Sequence, residues 1–381
     1  MIVGGGVIGA SVAFHLAARG TTDVLILDES PAPASGSTGA ATGGYRAQFA
    51  TAINVRLSLL ARTKLRAFKD EVGADPGYLP AGYLWLAENE TEMHALIAGQ
   101  KVQHAEGLAE AVMVSAEEAS RLQPAIRREG IIGGAYCPTD GFIRPRAILE
   151  GYLSAAMQRG VRVHWGESVI GFEIGADGKI DKVVTASGTV ACGAVVNAAG
   201  AWAGRVARLA HLDVPVTPLR RHLVPTVPTT IVPKAAPMTL WCGDGFHFRE
   251  RDGGVLMGCP APSDREGSFD ISVDRSWTHE VEKMKDTRIP AVRDIPVDHD
   301  RAWAGLYEIS PDRHALLGAA PECPNFYLVN GSSGHGVMHS PALGHLLAEI
   351  ITSGTATTLD ATPLSPDRFM RGQPVASPEV L

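Results

Sequence analysis

Long apolar runs are missing from this chain. No stretch approaches the roughly 20 residues needed to span a bilayer, so no transmembrane segment is expected. Cysteine is scarce: Cys137, Cys192, Cys242, Cys259 and Cys323 are the only five in 381 residues, far apart and never in a C-x-x-C pair. An odd, dispersed set excludes a disulfide framework and suits reduced thiols in a cytoplasmic setting. The 13 histidines show no H-E-x-x-H or other ligand spacing, so no metal site is expected. Basic charge is not in surplus either. A net charge of −7 lacks the electrostatic footprint of a nucleic-acid binder. The start has no basic region followed by an unbroken apolar segment, because glycines interrupt it at once, and so does not read as a signal peptide. Internal repeats, charged tracts and low-complexity linkers are absent too. What remains, 45% hydrophobic and 20% charged, is the composition of an ordinary globular protein with one large or two modest domains.

The first 28 residues read as strand, glycine turn, helix, strand. Ile2 and Val3 are apolar, Gly4-Gly5-Gly6-Val7-Ile8-Gly9 opens an alanine-rich helical stretch reaching Ala18, and Gly20 stands where a C-terminal cap is expected. Residues 23–28 form a near-continuous apolar run, the signature of a strand buried on both faces. A loop of small residues follows from Ser35 to Gly44. Ile53, Leu57, Leu60, Ala61, Leu65 and Phe68 then mark one face of a helix that stops at Gly73.

From Tyr78 to Gly134 the pattern changes: residues 83–87 look like a strand, and Ser115-Ala116-Glu117-Glu118 is a capping box for a short helix. Residues 144–158 predict a helix ending at Gly160, and 161–165 a strand. Asp177-Gly178 predicts a hairpin turn between strands at 169–174 and 180–185. Residues 195–199 read as another buried strand. From Pro215 to Pro296, prolines and β-rich runs at 219–226, 246–249 and 255–258 predict a mostly antiparallel sheet. The tail returns to strand (326–329), glycine turn (331–336) and apolar helix (342–351). The fold class expected is α/β with an α+β character: a Rossmann-like dinucleotide-binding domain from residues 1–77, 140–214 and 300–381, interleaved with an antiparallel-sheet substrate domain from 78–139 and 215–299.

Gly4-x-Gly6-x-x-Gly9 follows a strand, opens a helix, and is separated by 18 residues from Asp28 at the end of the next strand. In that setting Gly4 permits the tight turn, Gly6 admits a pyrophosphate close to the backbone, and Gly9 lets helix and strand pack. Val7 and Ile8 begin a helix whose free N–H groups and partial positive charge suit phosphates. Asp28, with Glu29 beside it, can accept hydrogen bonds from a ribose diol. The motif alone does not separate NAD from FAD.

Four blocks carry a resemblance over nearly the whole chain. They are residues 3–28, Gly36-Ser37-Thr38-Gly39 through Gly43-Gly44-Tyr45-Arg46-Ala47-Gln48-Phe49, Val195-Val196-Asn197-Ala198-Ala199-Gly200-Ala201-Trp202, and Trp303-Ala304-Gly305-Leu306-Tyr307 through Ser333-Gly334-His335-Gly336. With these the sequence resembles the superfamily of FAD-dependent D-amino-acid, sarcosine and glycine oxidases, nearest its sarcosine–dimethylglycine oxidase or dehydrogenase branch. The resemblance implies that Ser37, Thr38, Gly43, Gly44 and Tyr45 belong to the loop passing under the flavin, with Arg46 over or beside the ring as a catalytic cation. It implies that Val169 meets the adenine through its backbone and that Ala199, Gly200 and Trp202 close over the same dinucleotide. Gly331, Ser333, Gly334, His335, Gly336 and Val337 would face the flavin pyrimidine, where helix N–H groups stabilise negative charge. Tyr307 is implied as the pocket-facing catalytic and substrate residue, with His335 also near the chemistry. Arg220, Arg221, His247 and Arg249 sit on the sheet expected to roof the flavin, where an arginine can hold a substrate carboxylate bidentately.

The sequence departs from that family's pattern in several places. Gly305 replaces the cysteine that attaches flavin in monomeric sarcosine oxidases, and the loop from Ser37 to Gly44 has no histidine like that of dimethylglycine dehydrogenases. FAD is therefore expected to be non-covalent. Met338 replaces a carboxylate-binding lysine, and no lysine lies close to Leu256, where an oxygen-activating one would fall. That leaves a dehydrogenase open. Only three residues precede Gly4, fewer than usual, which raises a truncated start. The reaction expected is hydride transfer from the carbon beside nitrogen of a small amine or amino acid to flavin N5, giving an imine that water hydrolyses. A flavin-binding subunit of a larger dehydrogenase complex and an NAD-dependent dehydrogenase stand as alternatives to be decided, and a partner subunit or a homo-oligomer is the assembly expected.

Overall fold

The computed structural model describes residues 1–21 and 23–376; the expected domain limit at residue 381 lies outside them. Its first sheet has six strands in the order Leu316–Ala320, Cys323–Asn330, Val195–Asn197, Ile2–Val3, Leu25–Asp28, Arg162–Trp165. All neighbours run parallel except the first pair. This is why residues 23–28 and 195–199 read as buried, near-continuous apolar runs: both faces of a central parallel strand are covered. Ile26 and Val195 have no exposed surface.

Three helices pack on one face: Val7–Ala18, Pro145–Met157 and Gly336–Ser353. The first and last approach closely because residue 344 is glycine; a Cβ there would meet Ser11 Oγ at 2.2 Å. The hydroxyl of Ser11 donates to the Ser340 carbonyl at 2.7 Å across that contact. The helix Ala52–Val72 ends on Gly73 in the left-handed conformation (φ 82°), as its glycine predicts. The 169–185 hairpin forms with Gly178 at φ 78° and adds a third strand, Gly188–Ala191.

The second large sheet has eight strands: Trp303–Ile309, Thr217–Pro225, Gly254–Gly258, His247–Arg251, Met238–Trp241, Tyr83–Ala87, Gly133–Cys137, Val112–Ser115. It is antiparallel but for the pair Met238–Trp241 and Tyr83–Ala87, a parallel contact that local turn signals could not reveal. The capping box at Ser115 forms as expected, with the Glu118 amide donating to the serine hydroxyl and the Ser115 amide to the Glu118 carboxylate. Two helices absent from the sequence reading appear here, Glu90–Ala105 and Arg275–Arg288. The second buries little more than Trp277, Val281 and the stem of Lys285. The Lys285 ammonium donates to the carbonyls of Val292, Arg293 and Ile295 at 2.7–3.2 Å. Its polar sequence hides a stripe held by one face.

Candidate functional site

The C-terminal ends of the parallel strands, the second sheet and two glycine turns enclose one cavity of about 1450 Å³, above the roughly 300–1,000 Å³ of a usual small-ligand cleft. At the first turn the glycines divide their work. A Cβ on Gly4 would lie 2.3 Å from the Ala198 carbonyl oxygen, and one on Gly9 would lie 2.0 Å from the Gly4 oxygen, so the protein's own packing demands both. Gly6 is different: a Cβ there would meet nothing nearer than Thr38 Oγ1 at 3.6 Å. Its hydrogen faces the cavity, and the space is kept clear for something that is not protein.

The helix that follows has no capping bond from its N-cap residue, Gly6, and no acidic residue in its first turn; the Val7 amide alone is met by a side chain, that of Thr38. The helix Gly336–Ser353 likewise has neither at the other turn. Both N-termini line the cavity, through Gly6, Val7 and Ile8 and through His335, Gly336 and Val337. Two uncapped helix ends aimed into one space form a site for negative charge at two points. Asp28 also lines it, accepting from the Gly5 amide at 2.6 Å and the Ser30 amide at 2.8 Å, which fixes the carboxylate at the rim. Glu29, Trp165, Glu167, Val169 and Ala199 complete that end.

The loop of small residues is stapled in place over a long sequence distance. Ser37 Oγ donates to the Leu306 carbonyl at 2.7 Å, Trp303 Nε1 to the Ala40 carbonyl at 2.9 Å, and the Val7 amide to Thr38 Oγ1 at 3.2 Å. The strand Trp303–Ile309 therefore lies against this loop, and a Cβ on Gly305 would come within 2.7 Å of the Ala40 methyl. Gly44, Gly200, Trp202, Gly305, Ser333 and Gly334 also line the cavity.

Arg46, Tyr83, Trp85, Arg221, His247, Tyr307 and His335 form the far end. The Arg46 guanidinium lies over the rings of Phe49 (4.2 Å) and Trp85 (5.0 Å) and donates to the Gln48 carbonyl and to His335 Nε2, each at 3.0 Å. Because arginine can only donate, His335 Nε2 accepts, and the neutral ring carries its proton on Nδ1. Burial and the Arg46 charge hold the His335 pKa well below its ordinary value. Burial pushes Tyr83 up to about 12 and also raises Tyr307, against the pull of the nearby arginines, so both phenols stay neutral. Behind the wall, Asp140 accepts from the amides of Ala47 at 2.8 Å and Gln48 at 3.4 Å, holding the loop that carries Arg46.

Some expected residues stand behind the lining. Gly9 serves packing; Gly43 (φ 73°) and Gly331 (φ 73°) serve turns. Tyr45 is wholly buried, its hydroxyl donating to the Ser58 carbonyl at 2.6 Å. Arg220 is absent from the cavity lining and reaches out to Asp270 (2.7 Å), while its neighbour Arg221 lines the cavity with its Nη1 paired to Asp264 at 2.9 Å. The reason is register: Arg221 pairs with Gly305 and Leu219 with Tyr307, so strand alternation sends Arg220 to the opposite side. Arg249 is not on the wall either. Its Nη1 donates to the carbonyls of Thr42 and Gly43, each at 3.1 Å, and it lies 3.5 Å over the Phe142 ring, so it braces the small-residue loop from outside. Tyr83 and Trp85, which the sequence reading passed over, had a signal: two aromatic residues at i and i+2 of a strand share one face.

A family model described as FAD dependent oxidoreductase (DAO) matches residues 1–350. The FAD-dependent oxidoreductase domain-containing protein 1 of Mus musculus is 30% identical over 436 residues, covering 100% of this chain and 86% of that protein. The glycine oxidase of Geobacillus kaustophilus is 28% identical over 383 residues, covering 97% and 96%. Among solved structures, L-proline dehydrogenase from P. horikoshii superposes with a TM-score of 0.89 at 28% identity, covering 98% of each chain.

Proposed function

The chain belongs to the DAO family of FAD-dependent oxidoreductases, and from that premise we propose that it oxidises a C–N bond of a small amine or amino acid, sarcosine-, glycine- or D-amino-acid-like. FAD membership sets the NAD-dependent alternative aside. The observation that carries the reading is the single cavity itself. It joins a dinucleotide cradle (the clear space at Gly6, the Asp28 carboxylate, two uncapped helix ends) to a second compartment walled by Arg46, Tyr307, Tyr83, Trp85 and Arg221.

The residues fit the cofactor. Gly4 to Ile8, Asp28 and Glu29 would hold its adenosine and pyrophosphate part, with Val169, Ala199, Gly200 and Trp202 over it. Ser37, Thr38 and Gly44 would lie beneath the ring, and Ser333 to Val337 at its pyrimidine edge. The link is non-covalent in this reading, since residue 305 is glycine where a cysteine would attach the flavin and the loop from Ser37 to Gly44 has no histidine. When bound, the flavin supplies acceptance of a hydride equivalent.

The chain's own residues do the rest. Arg46 gives the far compartment a guanidinium that can orient a carboxylate, beside Arg221, whose Nη1 is paired with Asp264 at 2.9 Å. The aromatic walls exclude water and favour the neutral amine. Tyr307 lies on the cavity surface beside the Gly334 turn, where its hydroxyl can hold the amine nitrogen. The carboxyl nearest Tyr307 on the cavity lining, Glu308, is held toward its protonated form by burial, which suits a substrate that enters already deprotonated. The test is product analysis with FAD-loaded protein and an artificial electron acceptor. The reading expects a carbonyl product and a released amine or ammonia in equal amounts from at least one member of the class; glycerol-type alcohols turned over in place of every amine would refute it.

A further inference from the structure

We propose that His279, Glu282 and His299 form a binding site for an imidazole-preferring divalent cation, zinc foremost, on the outer side of the helix Arg275–Arg288. None of the three lines the cavity, so the site is separate from the oxidoreductase chemistry. His279 and Glu282, three residues apart, share a helix face. His299 comes from the 3-10 turn His299–Arg301, which leads into the strand Trp303–Ile309. One ligand atom from each of the three lies within 4.8 Å of the others.

The hydrogen-bond pattern makes the site more than a chance cluster. The Thr278 hydroxyl donates its single hydrogen to the Arg275 carbonyl at 2.9 Å. With that hydrogen committed to the Arg275 carbonyl, the hydroxyl accepts from His299 Nδ1, 2.9 Å away. The proton of a neutral His299 thus sits on Nδ1, and its Nε2 carries a lone pair. That lone pair faces Glu282 Oε2 at 3.2 Å, an acceptor against an acceptor. Something positive must lie between them: a cation, or a second proton on the ring. The spacing admits the cation. Zinc–nitrogen and zinc–oxygen distances of about 2.0–2.2 Å put tetrahedral ligands about 3.3 Å apart, which the His299–Glu282 pair already matches. His279 Nδ1 lies 3.9 Å from the same carboxylate oxygen, and its ring lies 4.5 Å from the His299 ring. His279 is exposed and can turn to close the gap, leaving water the fourth position. The Thr278–His299 bond is the outer partner that metal-binding imidazoles ordinarily have. One remote histidine meeting one i, i+3 pair explains why no spacing in the sequence announced the site.

The test is calorimetric titration of zinc chloride into chelator-treated, FAD-loaded protein near neutral pH. The wild type should take up one tight equivalent. His299→Ala and Glu282→Gln should each lose it, and Thr278→Val, which releases the ring, should weaken it about 10-fold. Flavin content should be the same in all four proteins, which also reports folding; if His299→Ala misfolds, Glu282→Gln decides. Absence of a tight equivalent in the wild type, or equal zinc affinity in wild type and Glu282→Gln, would overturn the proposal and assign the gap to a second proton on His299.

Discussion

Arg46 and His335 sit 289 residues apart in sequence, yet Nη2 of the first donates to Nε2 of the second at 3.0 Å. The bond ties the loop under the dinucleotide cradle to the glycine turn at its other side. It also fixes the histidine tautomer and aligns a cation at the far compartment, between Phe49 and Trp85. Replacing Arg46 with lysine keeps the charge but loses the fork that reaches Gln48 and His335 together. The expected outcome is normal FAD content with flavin reduction by substrate slowed about 10²–10³-fold, the range for losing one preorganised donor at developing charge. Anaerobic stopped-flow absorbance measures it.

Gly6 and Gly9 should separate binding from folding. Gly9→Ala forces a methyl into the Gly4 carbonyl and should destabilise the protein by about 1–3 kcal/mol or prevent folding. Gly6→Ala has room in the protein alone, so its apoprotein should melt like the wild type while its FAD affinity falls. Thermal melts of both apoproteins, with FAD titration by fluorescence quenching, check the contrast.

Glu308 provides a pH test. Burial pushes its carboxyl from 4.5 up to about 7, while its Oε1 accepts from the Ser332 amide at 3.2 Å. The native state holds this proton more tightly than the unfolded chain. Its contribution is thus fully present below about pH 4.5 and lost as pH rises through about 7. Glu308→Gln keeps the neutral form at every pH. Relative to that variant, the wild-type apoprotein should lose stability between about pH 5 and 8, and the two should converge in acid. Denaturant titrations at both ends of the window measure the difference.

Arg368 and Asp312 form a buried pair, Nε to Oδ2 at 2.8 Å and Nη2 to Oδ1 at 2.9 Å, joining the tail to the loop after the strand Trp303–Ile309. Arg368→Met leaves the Asp312 carboxylate buried and should cost about 3–5 kcal/mol. The double variant with Asp312→Leu should recover much of that loss in equilibrium unfolding.

What could be read in the sequence was what neighbours in sequence dictate. The first turn, its helix, the strand to Asp28, the 169–185 hairpin and the Ser115 capping box all follow from local spacing. The site was legible wherever it is built from such a turn. It was not legible where register decides: Arg220 and Arg221 are adjacent, and only their alignment against Gly305 and Tyr307 shows which one meets the cavity. Nor was it legible for Arg249, whose role depends on Thr42 and Gly43 some 206 residues away. The helix Arg275–Arg288 escaped because so few of its residues are buried that periodicity barely rises above its polar background.

The most direct measurement of the central claim is the visible flavin spectrum of the FAD-loaded protein under anaerobic addition of N-methyl amino acids, D-amino acids, proline and glycine in turn. The structure predicts a yellow protein that at least one of these bleaches, with Gly6→Ala unable to retain the colour. A folded protein that stays colourless when FAD is supplied, or one whose flavin every amine leaves oxidised while a chemical reductant bleaches it, would contradict the claim; the second result would point to a flavin-binding subunit.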